Sequence, residues 1–197
     1  MSWAGLGIII EQMLIGIAIG LVMHIMFAVV QAAGEFIGLQ MGLAFASFFD
    51  MSSGTNIMVL SRILYMVTLL MFLAFNGHLM VLETLVMSFE TLPIRIGSLN
   101  PNAFELLARY AGTIFASGML LALPLVASLL IINLALGILN RSAPQLTVFN
   151  IGFPTSLTVG IVLLMVLMSD IGSFLQQLFS QGISFTQSLI ETMAPLN

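Results

Sequence analysis

The chain has 197 residues, of which 60% are hydrophobic and 6% charged, with a mean hydropathy of +1.17. A soluble domain of this length carries roughly fifty charged residues, whereas this one has 4 Lys or Arg and 8 Asp or Glu, too few to keep a water-facing surface hydrated. Without Lys and with only scattered Arg there is no footprint for a phosphate backbone, so no nucleic-acid partner is expected; without Cys there are no disulfides, thiolate metal sites or Cys nucleophiles.

Charge-free runs long enough to cross a membrane, about 20 residues, occur at Gln12–Gly34, Ile63–Leu82, Tyr110–Asn140, Ser142–Ser169 and Ile171–Ile190. None alternates apolar and polar residues as a transmembrane barrel strand does. The expected fold class is therefore all-α, integral to or associated with a membrane, as a single domain over residues 1–197. In the first run, Gly16 and Gly20 fall four residues apart, and Gly34, Gly38 and Gly42 repeat that interval, the spacing that lets helix backbones approach closely. Glu35 follows Gln31 by one turn. A carboxylate at membrane depth costs roughly 2.5–3.5 kcal/mol, so it faces protein or water, either as an ion or proton site or as part of a polar seam with Gln31 and Gln40. Phe45, Phe48 and Phe49 then precede Asp50. Phe45 and Phe48 share a helix face and read either as core or lipid contact or as an apolar constriction across a water path.

The Asp50–Asn56 stretch has turn chemistry and separates two helices. Leu92–Asn102 is the longest irregular stretch, with Asn102 placed to cap the helix after it. Pro124 predicts two helical pieces hinged at mid-length between Phe104 and Asn140, and Asn133 adds an amide that needs a partner. A turn at Asn140–Pro144 leads to a helix beginning near Pro154. In the last helix Ile171, Phe174, Leu175, Leu178, Phe179, Ile183 and Ile190 recur at three- and four-residue spacing, opposite Ser173, Gln176, Gln177, Ser180, Gln181, Ser184, Gln187, Ser188 and Glu191. That helix has one apolar face and one uncharged polar face, which suits hydrogen bonding to other helices or a wet lumen better than lipid tails. His24 and His78 lack a third ligand at metal spacing, and no nucleophile elbow, P-loop or paired-carboxylate motif is present, so neither a metal nor a cofactor is expected.

Three stretches together resemble the FliR family of the flagellar type III export gate. They are Gly34–Leu43 running into Phe45–Asp50, the Phe75–Leu79 segment, and Leu134–Leu146 with Asn140-Arg141-Ser142-Ala143-Pro144-Gln145, followed by Gly152-Phe153-Pro154. The resemblance implies a non-enzymatic subunit that packs with FliP and FliQ in a helically arranged channel, alongside FlhB and FlhA, in the inner (plasma) membrane at the flagellar basal body. Unfolded flagellar proteins would pass through that channel. It further implies that Phe45 and Phe48, with Phe49 and Asp50 adjoining, plug the closed channel, and that Asn140, Arg141, Pro144 and Gln145 belong to a subunit contact. Met51 stands where Pro often follows the Asp. Family members carry further hydrophobic helices before the Gly-rich one, so the resemblance also implies an N-terminally incomplete member. The alternative from the residues alone is a secondary ion or solute transporter with a midplane site at Glu35.

Overall fold

The computed structural model describes residues 3–43, 59–94, 99–142 and 151–194, and its described residues form six helices with no strand. They are α1 (Trp3–Gln40), α2 (Val59–Ala74), α3 (Gly77–Thr91), α4 (Asn102–Ala111), α5 (Thr113–Ser142) and α6 (Phe153–Met193). The expected all-α class holds. Three stretches are long and apolar enough to cross a membrane, namely Gly5–Gln40, Asn102–Leu139 and Phe153–Met193, and α2 with α3 forms a fourth span only if counted as one broken segment.

Helix α1 is apolar all round but buries one stripe, in which Ile15, Ile19, Val22, Met26, Val29, Ala33 and Ile37 recur at three- and four-residue spacing. Its other faces leave Ile9, Ile10, Met13, Ile17 and Leu21 exposed. A helix that is hydrophobic on every face is one covered by lipid or by other protein. The helix ends at Gly42, which adopts φ 82°. Its N–H donates to the Leu39 carbonyl at 3.1 Å, and the Leu43 N–H reaches back to Gly38 O at 2.9 Å. This paired closure satisfies the last carbonyls and needs a left-handed residue that glycine adopts without strain. Gly42 therefore stops α1 and does not extend the Gly34–Gly38 stripe.

The Ile63–Leu82 run is broken. The axes of α2 and α3 meet at 67°, and Asn76 between them takes a left-handed conformation, φ 57°, one of the few non-glycine residues that does so readily. Phe72 ring atoms occupy the space where a Gly77 side chain would begin, so the bend is locked by an aromatic ring against a bare backbone. Helix α3 is inverted relative to a soluble amphipathic helix. Gly77, Thr84 and Ser88 face inward while Leu79, Leu82, Val86 and Phe89 are exposed. The inward hydroxyls need no distant partner, since Thr84 donates to Met80 O and Ser88 to Leu85 O within their own helix.

Pro124 does not hinge the next segment. It lies inside the continuous 30-residue α5, and the break falls twelve residues earlier, at Gly112. There the Gly112 N–H donates to Arg109 O at 3.1 Å and Thr113 Oγ1 takes up the Tyr110 carbonyl at 2.7 Å, so side-chain and tightened-turn bonds replace the regular ladder. Pro124 removes a single backbone donor, a loss that helices at membrane depth absorb, and Ser128 Oγ donates to its carbonyl at 2.7 Å. Nor does Asn102 cap α4: its N–H is held by the side chain of the buried Asn100, Oδ1 at 3.0 Å. The Ser142–Ser169 and Ile171–Ile190 runs also merge. Helix α6 passes straight through Asp170 for 41 residues, because neither Gly nor Pro interrupts the ladder there in a way the helix cannot accommodate.

The chain divides into two compact units, which α1 and α6 both enter. One takes the described residues of 1–28, 69–114 and 175–197, the other those of 29–68 and 115–174. In the first, Ile15, Ala18, Ile19 and Val22 of α1 meet Ala103 and Leu107 of α4 and Leu189, Ile190 and Met193 of α6. Tyr110 stacks on Phe185 with ring centroids 3.8 Å apart. Phe27, Phe72 and Phe179 form an aromatic group with centroids 5.1 to 6.2 Å apart. The exposed side of α4 carries the ion pair Glu105–Arg109, 2.8 Å at i,i+4; such a surface pair adds little stability.

Candidate functional site

The second unit brings helix backbones together at two glycines, Gly34 and Gly118, and seats a methionine side chain against a third, Gly160. At Gly34 a Cβ would lie 2.6 Å from Ser61 Cα and 3.1 Å from Ser61 N, so α1 and α2 approach at backbone distance; at Gly118 it would lie 2.9 Å from Val29 O, and at Gly160 2.6 Å from Met41 Cγ. Ser61 Oγ donates to the Gln31 carbonyl at 2.9 Å one turn before Gly34, closing the same junction. At Gly34 two helix backbones meet, and Gly38, one turn further on, is buried. Gly16 and Gly20 behave differently. Both are exposed, and no described residue comes within 4 Å of where a side chain would begin.

Among the residues expected to form a polar seam, Gln31 and Gln40 are half-buried and Glu35 is exposed. No group of three or more His, Asp or Glu side chains gathers among the described residues, whereas an ion site within a membrane needs converging ligands. Arg141 is exposed near the end of α5. Phe45, Phe48, Phe49, Asp50, Pro144 and Gln145 lie outside the described residues.

Asn133 finds the partner that its amide requires. Ser156 Oγ on α6 donates to Asn133 Oδ1 at 2.7 Å, joining α5 to α6 between otherwise apolar surfaces. Asn133→Leu is expected to lower stability by about 0.6 kcal/mol and by no more than about 1.7 kcal/mol, because the freed Ser156 hydroxyl can turn back onto its own helix. Thermal unfolding of the detergent-solubilised protein measures this, and a loss well above that range would show that the pair anchors a larger network. Ser61, Gly118, Gly160 and Ser156 were not legible as site residues in the sequence, since each matters only through the helix opposite it.

The outer surface of the second unit is rich in large apolar side chains, among them Phe115, Leu120, Ile131, Leu134, Ile138, Val162 and Met165. A soluble monomer does not expose such faces. A family model described as "Bacterial export proteins, family 1" matches residues 2–182. The flagellar biosynthetic protein FliR of Escherichia coli (strain K12) is 50% identical over 192 residues, covering 98% of this chain and 74% of that protein.

The chain belongs to the FliR family of bacterial export proteins.

The FliR of Pectobacterium carotovorum is 51% identical over 91% of this chain and 69% of its own length, and that of Bacillus subtilis (strain 168) 32% identical over 91% and 71%. As a FliR-family member with span-length apolar helices, the chain is a membrane-embedded component of the flagellar export apparatus.

Proposed function

We propose that this subunit packs with FliP and FliQ to form the channel through which unfolded flagellar proteins leave the cell, alongside FlhB and FlhA, in the inner membrane at the basal body. It catalyses no reaction in this reading, and energy comes from other components. The observation that carries the reading is identity of 50% with a flagellar biosynthetic protein across 98% of the chain. Two features of the fold support it: apolar side chains left exposed on α1, α3, α5 and α6, and two exposed glycines, Gly16 and Gly20, with open space beside them into which a neighbouring helix fits closely. Glu35 and Arg141, both exposed, provide polar points for subunit contacts, with Gln31, Gln40, Asn140, Pro144 and Gln145 near them in sequence.

In the closed channel Phe45 and Phe48, with Phe49 and Asp50 adjoining, form the plug. In sequence they follow shortly after Gly42, which ends α1. Co-expression with FliP and FliQ tests the reading. A tag on this chain is expected to bring down both proteins in one complex of defined mass, and recovery of the chain alone from well-expressed partners would overturn it.

A further inference from the structure

Helix α6 changes its exposed chemistry at Asp170. Before that point it exposes Ile161, Val162, Met165 and Val166, and the hydroxyls there are spent within the helix: Thr155 donates to Ile151 O, Thr158 to Pro154 O and Ser169 to Val166 O. Apart from the buried Ser156, which Asn133 of α5 accepts from, that half asks nothing of its surroundings, and its exposed side tolerates lipid tails or an apolar neighbour. After Asp170 no large hydrophobic side chain of α6 is exposed among the described residues. Every exposed position from Ser173 to Glu191 is Ser, Gln or the terminal Glu, while Leu175, Leu178, Ile183 and Ile190 point into the first unit. At 100° per residue the polar positions fill an arc of about 140°, and at 1.5 Å per residue they run about 27 Å, close to the thickness of a bilayer core.

The four glutamines, Gln176, Gln177, Gln181 and Gln187, make no hydrogen bond with any described residue. Each amide has two donors and an acceptor oxygen, and a glutamine cannot turn back on its own helix as the serines and threonines of the first half do. Lipid tails would leave all of these groups unsatisfied. A tightly packed partner helix would have to freeze four long, mobile side chains where helix contacts in membranes favour small ones. Water satisfies the amides without ordering them. The stripe also carries no charge between Asp170 and Glu191, unlike an ordinary water-facing helix, whose surface mixes both signs. A charged wall would hold oppositely charged segments of a passing polypeptide, and an apolar wall its hydrophobic segments; hydrated amides and hydroxyls hold neither.

We propose that the Ser173–Glu191 face of α6 is part of the wetted wall of the export passage, past which an extended, unfolded polypeptide slides through water. This rests on the channel reading above. Because the chain contains no cysteine, single replacements report cleanly. Ser180→Cys and Ser184→Cys, each exchanging one oxygen for sulfur at the centre of the stripe, are compared with Met165→Cys on the apolar half. The probe is a charged, membrane-impermeant methanethiosulfonate, applied to inverted membrane vesicles holding the assembled complex with the Phe45→Ala/Phe48→Ala gate. Reaction requires a hydrated thiolate, so the stripe positions are expected to react at least about tenfold faster than Met165→Cys, and a stalled export substrate is expected to slow them. Equal rates, or stripe thiols that react in the isolated chain but not in the complex, would overturn the assignment by showing a covered face. Co-purification of FliP and FliQ with each variant is read in parallel, so failure of the channel reading itself appears there and not in the labelling rates.

Discussion

Gly34→Leu is expected to prevent the second unit from packing and to abolish recovery of the assembled complex. A side chain at this position starts 2.6 Å from Ser61 Cα and 3.1 Å from Ser61 N. These are backbone atoms of a neighbouring helix, which cannot rotate out of the way as a side chain can. Helices α1 and α2 must separate, and the 2.9 Å bond from Ser61 Oγ to Gln31 O separates with them. Overpacking of a filled interior costs about 1–3 kcal/mol for modest additions, already a large part of a typical stability of about 5–15 kcal/mol; the full leucine side chain exceeds that range, with Gly34→Ala falling within it. Thermal unfolding and yield of the purified complex read the effect. Gly7→Ala is the control, because no described residue lies within 4 Å of a Cβ at that exposed helical position and the substitution gains up to about 1 kcal/mol of helix propensity. An unchanged unfolding temperature for Gly34→Leu would show that the two helices do not approach here.

Replacing the two phenylalanines proposed as the plug, Phe45→Ala with Phe48→Ala, is expected to raise small-ion leakage through the assembled, resting channel by about tenfold or more. An apolar constriction excludes water because its wall offers no hydrogen bonds, and removing two rings both widens it and lets a continuous water column form. Ion flux across vesicles containing the complex measures this. Leakage equal to that of the parent complex, with FliP and FliQ present in normal amounts, would remove Phe45 and Phe48 from the plug. The single replacements are expected to leak less than the pair, since one remaining ring still narrows the path.

The α6 pattern is legible in the sequence. Its buried and exposed positions follow directly from three- and four-residue spacing, because on a regular helix the face a residue occupies depends only on its position in the repeat. Asn133 was readable as a group needing a partner, though not as a partner of Ser156. Pro124 and Asn102 illustrate the opposite case. A proline is a strong local signal for a break, yet α5 continues through it because one missing donor is a small loss in a 30-residue helix, while Gly112 with its competing Thr113 hydroxyl marks the actual interruption. The capping side chain came from Asn100, two residues before the expected Asn102; Asn residues on either side of a proline offer similar turn chemistry, and the fold of the connector decides which is used.

The amino-acid sequence by itself determined the all-α class, the apolar surroundings, the two-faced final helix and membership of the FliR family, because these depend on composition, on periodicity within single helices and on residue order. Only the tertiary structure decided which glycines act within the chain. Gly34, Gly118 and Gly160 let backbones or long side chains approach, Gly42 ends a helix, and Gly16 and Gly20 face outward. All six are chemically the same residue. What separates them is the element lying opposite, and close approach across tens to more than a hundred residues of chain is not encoded in any local spacing.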